Sequence, residues 1–397
     1  MKPAYIIDAV RSPIGRYGGK LSTVRPDDLL ALMIRSLVQR NANIDVHQIE
    51  DVIVGAANQA GEDNRNIGRL AALLAGLPVT VAGNTVNRLC GSGLQSIMDA
   101  AKSIMCGEGM LYIAGGVESM SRAPFVTARQ IDNNNTEPET VDSTIGWRFT
   151  NQELAAMYQP YSMGETAEHL AKARQISRAE QDAYAANSHA KYFEALAANK
   201  WDNEIIPVPI GTNGEPAFFS KDEHPRATSI EKLAGLKSAF IKGGCVTAGN
   251  ASGINDGAAA LLLASEEAVK LFNLTPIARV VSTAVAGVHP DVMGLGPVPA
   301  TKKALQRAGL TINDLHLIEL NEAFAVQSIA CINDLGLDAN MVNVNGGSIA
   351  LGNPLGCGGA RIATTLLYEM QKRKSKYGLA SMCIGVGQGA AMVFEGL

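Results

Sequence analysis

The chain has 397 residues, 47% hydrophobic and 18% charged, with 40 glycines and a formal net charge of -4. That length supports two or three domains around a large buried core, and the weakly acidic balance excludes the broad basic field that nucleic acid would require. The sequence has no apolar run near the ~18 residues of a bilayer span, so no nucleic-acid or membrane partner is expected.

Met1 is followed almost at once by Ala4-Tyr5-Ile6-Ile7, which reads as a strand rather than as a signal peptide or an Arg-rich leader. A cytoplasmic location is therefore expected. The six cysteines, Cys90, Cys106, Cys245, Cys331, Cys357 and Cys383, include no C-x-x-C pair. No zinc or redox motif is indicated, and a reducing compartment is the default.

Continuing along the chain, Val46, Ile49, Val52 and Val54 punctuate a helix–turn–strand passage, and the spacing returns at Ile312, Leu315, Ile318 and Leu320. Gln39-Arg40 is echoed by Gln306-Arg307. Glycine-led helices open near Cys90-Gly91-Ser92-Gly93 and Cys357-Gly358-Gly359-Ala360. Strands follow them, ending Ile113-Ala114-Gly115-Gly116 and Met382-Cys383-Ile384-Gly385. The constant offset and order indicate a duplication. Strands alternating with helices give each half an α/β character, with mixed or parallel sheets covered by helices. Between the halves, roughly residues 120 to 250, lies a different stretch with Asn133-Asn134-Asn135, two tryptophans and a helical run from Ala167 to Ala198. Long insertions on α/β scaffolds often cover a site.

Asn87-Arg88-Leu89-Cys90-Gly91-Ser92-Gly93 follows an extended stretch and opens a helix from Leu94 to Met105. A cysteine at a helix N-terminus meets free N–H groups and the positive end of the dipole, which favour its thiolate. Cys90 is thus expected to be the most reactive thiol. A small buried cysteine in a tight turn is the bland alternative. Three further segments complete the picture. Asn321-Glu322-Ala323-Phe324 follows a strand, and the glycine-rich loop from Gly346 to Gly356 precedes a helix. Cys383-Ile384-Gly385-Val386-Gly387-Gln388-Gly389 forms a second cysteine-bearing glycine turn, too close to Leu397 to begin a dinucleotide-binding βαβ unit.

Together with Gly115-Gly116-Val117-Glu118-Ser119-Met120-Ser121 and Thr247-Ala248-Gly249-Asn250-Ala251-Ser252-Gly253, these segments resemble the thiolases over essentially the whole chain. The resemblance implies two βαβαβαββ halves stacked in five αβαβα layers, with an inserted loop domain. It divides the chain into an N-terminal half (1–119), the loop domain (120–248), a return to the first half (249–272) and a C-terminal half (273–397). It implies acyl exchange between 3-oxoacyl-CoA and CoA through an acyl-Cys90 intermediate. Cys383 would move a proton on the α-carbon, the N–H groups of Cys90 and Gly385 would form an oxyanion hole, and Asn321 would hold a water near the thioester enolate. Arg226 would approach the CoA phosphates. Ala248 and Ser252 would line the pantetheine arm, with Met163 and Phe324 also placed around substrate. CoA and acyl-CoA are then substrates, no metal or cofactor is expected, and a homo-oligomer, dimer or tetramer, is.

One position departs from the pattern. Where the family carries Gly-His-Pro, this chain reads Gly352-Asn353-Pro354. An asparagine amide can donate but has no nitrogen that titrates near neutrality, so reduced turnover is expected. Natural drift, a specialised subfamily and a deliberate substitution are all compatible with this residue. Two runs, Ala60-Gly61-Glu62-Asp63-Asn64-Arg65-Asn66 and Thr144-Ile145-Gly146-Trp147-Arg148-Phe149, resemble thiolases that cleave 3-oxoadipyl-CoA in aromatic catabolism. Arg148 or Arg65 would then meet the distal carboxylate. The competing readings are a general 3-oxoacyl-CoA thiolase, an acetoacetyl-CoA-specific acetyltransferase, and a protein that binds acyl-CoA without turning it over.

Overall fold

The computed structural model describes residues 2–129, 137–211 and 217–397, so Asn133-Asn134-Asn135 lies outside the described residues. The first half opens with strand β1 (Ala4–Arg11) and helix α1 (Pro26–Arg40). It continues through β2 (Ile49–Gly55), α2 (Ile67–Leu74), β3 (Ala82–Val86), α3 (Ser92–Cys106) and β4 (Leu111–Ser119). Helix α1 has Pro26 at its start, Asp27 and Asp28 in its first turn and Arg40 in its last. Each suits its place: proline needs no N–H there, and the charges complement the helix dipole.

The inserted region carries helices α4 (Met163–Arg174) and α5 (Arg178–Ala197). The single run expected from Ala167 to Ala198 is thus two helices. Gln175 takes a left-handed φ of 53° and ends the first, and Ser177 caps the second through a reciprocal bond with Glu180. The chain then returns as β5 (Asn255–Ser265). The second half runs β6 (Ala278–Gly287), α6 (Pro297–Ala308), β7 (Leu317–Leu320), α7 (Ala325–Leu335), α8 (Leu355–Arg373), β8 (Tyr377–Ile384) and β9 (Gln388–Gly396).

The strand orders expose the duplication. The strands are hydrogen-bonded in one unbroken order, in which a first-half sheet β3-β2-β4-β5-β1 continues into a second-half sheet β6-β9-β8-β7. Within them β2/β4 and β7/β8 are parallel, whereas β4/β5, β5/β1, β8/β9 and β9/β6 are antiparallel. Val342 bridges Ile318 in parallel, in the place that β3 occupies beside β2. The two sheets meet edge to edge where Tyr5 and Ile6 pair with Arg279 and Ala278.

Helices α3 and α8 lie against each other between the sheets. Their buried faces (Leu94, Ile97, Met98 and Ile104; Ile362, Leu366 and Met370) form one core with residues of both sheets. Helix α1 covers the outer face of the first sheet through Leu29, Leu30, Met33, Ile34 and Leu37. Helix α6 covers the second through Ala300, Ala304 and Leu305. This is the five-layer arrangement. Burying each of these large side chains removes apolar surface worth about 1.5–3 kcal/mol. The stacking brings the N-terminus of α3, the loop before α8 and the turn after β8 together at one end. Among the described residues, no helix is long and apolar enough to cross a membrane.

Candidate active site

Cys90 sits in the loop between β3 and α3, immediately before Gly91, which caps the helix without a side-chain bond. Leu89 adopts a left-handed φ of 48°, and its N–H donates to Asn87 Oδ1 at 2.8 Å. Ser92 Oγ donates to Leu89 O at 2.6 Å while accepting from Arg88 N. The strained turn is thereby tied down from both sides, which fixes where the Cys90 side chain emerges.

The turn after β8 closes over it. The Gly385 and Cys90 N–H groups both act on the Cys90 sulfur and favour its thiolate. Burial outweighs them, and Glu118 adds to it, so the thiol is pushed up to about 11. This corrects the expectation that the helix N-terminus would lower it. The dipole and the free N–H groups are there, but the loop is enclosed by both halves and the thiolate loses more hydration than the donors return.

Cys383 is fully buried, and burial followed by the nearby Cys90 and Cys331 raises its thiol well above the ordinary range. It lies near the end of strand β8, as the strand ending Met382-Cys383-Ile384-Gly385 suggested, and the glycine turn begins at Gly385. A methyl group placed on Gly385 would lie 3.3 Å from Leu89 Cδ1 and 3.7 Å from Met163 Sδ. Met163, the first residue of α4, therefore flanks the cysteine loop.

Asn353 is buried, and its N–H donates to Asn255 Oδ1 at 3.0 Å. A methyl group on Gly358 of α8 would lie 2.8 Å from Asn353 Oδ1 and 4.0 Å from the Cys90 backbone carbonyl, so the Asn353 side chain and the Cys90 backbone both approach this turn of α8. Asn353 Oδ1 is buried without a partner among the described residues. Asn321 follows β7, and its N–H donates to Ser381 O at 2.9 Å, two residues from Cys383. Its Oδ1 accepts from Ser348 Oγ at 2.6 Å, and its Nδ2 is buried and unpaired among the described residues. The structure thus brings Cys90, Cys383, Gly385 and Met163 together, with Asn321 and Asn353 buried on segments packed nearby.

Phe324 is buried beside Cys383, with Phe240 edge-on to it at 6.1 Å. Ser252 N donates to Ala323 O at 2.9 Å, and Ala251 bridges Phe324, so the Ala248–Ser252 segment runs alongside. Ala248 and Arg226 are exposed. Arg226 N donates to His189 Nδ1 at 3.3 Å. The buried His189 and His224 imidazoles are each lowered to about 4, first by desolvation and then by Arg226. Arg148 Nη1 reaches Asn58 Oδ1 at 3.4 Å, and Trp147 Nε1 donates to Tyr161 O, two residues before Met163. Arg65 is exposed in a turn with φ 66°. Neither arginine has a carboxylate partner among the described residues.

Sequence reasoning gave no role to Glu118. Its buried carboxylate accepts from Ala57, Asn58 and Gly356 N–H groups at 2.9, 3.1 and 2.7 Å, joining a loop of the first half to the base of α8. Burial raises it to about 7. An acid inside the otherwise apolar strand β4 was the available signal. Arg361, a lone charge within the apolar run of α8, was missed for the same reason.

A half-buried and a buried thiol beside backbone N–H donors, on a duplicated α/β scaffold, define an acyl-transfer centre. The thiolase N-terminal domain matches residues 4–267 and the thiolase C-terminal domain matches residues 274–396. The chain is 53% identical to the 3-oxoadipyl-CoA/3-oxo-5,6-dehydrosuberyl-CoA thiolase of Escherichia coli (strain K12), with 100% of each chain covered. It is 52% identical to a beta-ketoadipyl-CoA thiolase of Acinetobacter baylyi, again over 100% of both. Among solved structures it matches the Bacillus anthracis acetyl-CoA acetyltransferase with TM-score 0.94 at 42% identity, covering 100% of this chain and 99% of that one. It matches human mitochondrial 3-ketoacyl-CoA thiolase in complex with CoA with TM-score 0.93 at 38% identity, covering 100% and 98%. This chain belongs to the thiolase family and is an acyltransferase of that family.

Proposed function

We propose that the protein cleaves a 3-oxoacyl-CoA with CoA to acetyl-CoA and an acyl-CoA two carbons shorter, or runs the reverse condensation. The observation that carries this reading is the meeting of Cys90, Cys383 and the Gly385 N–H at the junction of the two halves. Cys90 Sγ adds to the 3-oxo carbon, and the Cys90 and Gly385 N–H groups receive the oxyanion. The C2–C3 bond then breaks, leaving the acyl group on Cys90 and the electron pair on the acetyl-CoA enolate. Asn321 steadies the enolate oxygen, by way of a water, and Cys383 gives its proton to C2. A thiol held well above its ordinary range keeps that proton at neutral pH, as the donor role requires. The CoA thiol then gives its proton to the Cys383 thiolate and takes the acyl group, and Cys90 leaves as the thiolate that began the cycle.

Arg226, Ala248 and Ser252 attend the CoA arm, while Met163 and Phe324 wall the reacting end. Asn353 supplies an amide and no base, so deprotonation of Cys90 is unassisted and turnover is slow while binding persists. The substrate is a 3-oxoacyl chain ending in a carboxylate, of the kind that the E. coli relative is named for. Arg148 is the cation for it, reaching Asn58 from the Met163 side of the site.

The experiment measures binding of adipyl-CoA and hexanoyl-CoA by calorimetry, together with thiolysis of 3-oxoadipyl-CoA and acetoacetyl-CoA. Tighter binding of adipyl-CoA, weakened by Arg148→Gln, is expected. Equal binding of the two esters would remove the dicarboxylate reading, and no thiolysis even after Asn353→His would remove the activity. Self-association to a dimer or tetramer also belongs to this reading. It is supported by the open edge of β3 and by exposed Leu73, Leu74 and Val79.

A further inference from the structure

Asn321 has one side-chain oxygen and one side-chain nitrogen, and the structure treats them differently. The oxygen is engaged by Ser348 Oγ at 2.6 Å. The nitrogen is buried with no partner among the described residues. Ser348 Oγ in turn accepts from Arg361 Nη2 at 2.7 Å. Arg361 lies 3.5 Å from Glu319 Oε2, and Arg361 and Ser348 are both 0% exposed. The chain of bonds therefore runs from β7 through α8 and the short helix at Ser348–Leu351 back to the residue after β7.

The direction of each bond follows from the groups. A guanidinium has only donors, so the Ser348 oxygen must accept from it. The serine then has one O–H left to give, and that hydrogen needs an acceptor. Turning the Asn321 amide over would set its NH2 against this O–H, donor against donor. The amide is therefore locked with its oxygen on Ser348 and its NH2 turned away from that hydroxyl, buried and unpaired among the described residues. A cationic donor behind the serine also polarises the chain and makes the far N–H a stronger donor.

We propose that Ser348, backed by Arg361, is a positioning residue that holds the Asn321 amide with its NH2 presented to the reacting thioester. This rests on the reading above that Asn321 stabilises the enolate oxygen. Ser348 itself does not touch substrate; it decides which end of Asn321 does. Without it the amide is free to turn its oxygen toward a developing negative charge.

The test uses the full chain carrying Asn353→His, so that thiolysis is fast enough to follow. Ser348→Ala, Ser348→Thr, Asn321→Ala and the Ser348→Ala/Asn321→Ala pair are compared by kcat and by KM for CoA. Ser348→Ala is expected to lower kcat roughly 10–100-fold, less than or equal to Asn321→Ala, as for one misplaced oxyanion donor. KM for CoA should stay within about twofold, because those contacts lie elsewhere. Ser348→Thr should restore the rate, since it keeps the hydroxyl. In the Asn321→Ala background the serine change should cost nothing further, a non-additivity that a merely structural role would not give. Should the alanine variant fail to fold, Ser348→Cys, a weak donor of similar size, carries the same expectation. Full activity of Ser348→Ala alongside a slow Asn321→Ala would overturn the positioning role, as would multiplying effects in the pair. A fast Asn321→Ala would instead overturn the reading of Asn321 itself, and the positioning role with it.

Discussion

Cys90 shows how one residue's chemistry depends on enclosure more than on its neighbours in sequence. With burial pushing its thiol up to about 11, Cys90 is largely protonated at pH 7. Cys106, by contrast, is exposed at the end of α3. Iodoacetamide at neutral pH should therefore label Cys106 ahead of Cys90, contrary to the reactivity expected from the sequence. Cys90 labelling should climb about tenfold per pH unit through the alkaline range. Peptide mapping across pH 7 to 10 checks this, and a plateau near pH 8 would show that the donors outweigh burial after all. Asn353→His supplies the titratable nitrogen that the asparagine lacks, and kcat should rise about 10²–10⁴-fold with acyl-CoA affinity little changed. Equal kcat values for the two forms would mean that the base lies elsewhere.

At the scale of elements, the motifs that were legible are contiguous. The Cys90 loop, the Asn321 segment and the glycine-rich loop each carry their own turn chemistry, and each stands where its local pattern places it. The hidden parts depend on contacts across long stretches of chain. Nothing in the spacing of Asn321, Ser348 and Arg361 says that a short helical turn and the middle of α8 meet behind one amide. Glu118 likewise gains its partners only when the halves stack. The packing of α3 on α8 is where those halves are most tightly matched. A methyl group on Gly93 would stand 2.7 Å from Gly356 O and 2.8 Å from Ala360 N. Both are backbone atoms, which cannot swing aside. Gly93→Ala should destabilise the fold by about 1–3 kcal/mol and, by prising the helices apart, loosen the cysteine loop. Denaturant unfolding with an unchanged midpoint would contradict that.

At the scale of the whole molecule, the inserted region buries two imidazoles that resist protonation. His189, on α5, and His224 are buried near Arg226, and both imidazoles fall to about 4. In the unfolded chain a histidine titrates near 6.5. Between those values the unfolded state binds protons that the folded state refuses, so stability rises with pH across the window and falls as the solution is acidified through it. The two together place a ceiling of about 7 kcal/mol on the loss, since each pKa unit is worth about 1.4 kcal/mol. Buried carboxylates pull the other way. Glu118 and Glu319, raised to about 7 and about 8, bind protons more readily in the folded state, and their contribution declines as pH rises from the ordinary carboxylate range through those values. The histidines can be isolated by substitution. His224→Asn removes one titration and leaves the carboxylates alone. The parent chain should lose more stability than this variant between pH 6.5 and 4, by up to ~3 kcal/mol, measured as the difference in urea unfolding free energy. Identical pH dependence in the two proteins would mean that His224 is protonated in the fold, and that Arg226 does not oppose its charge.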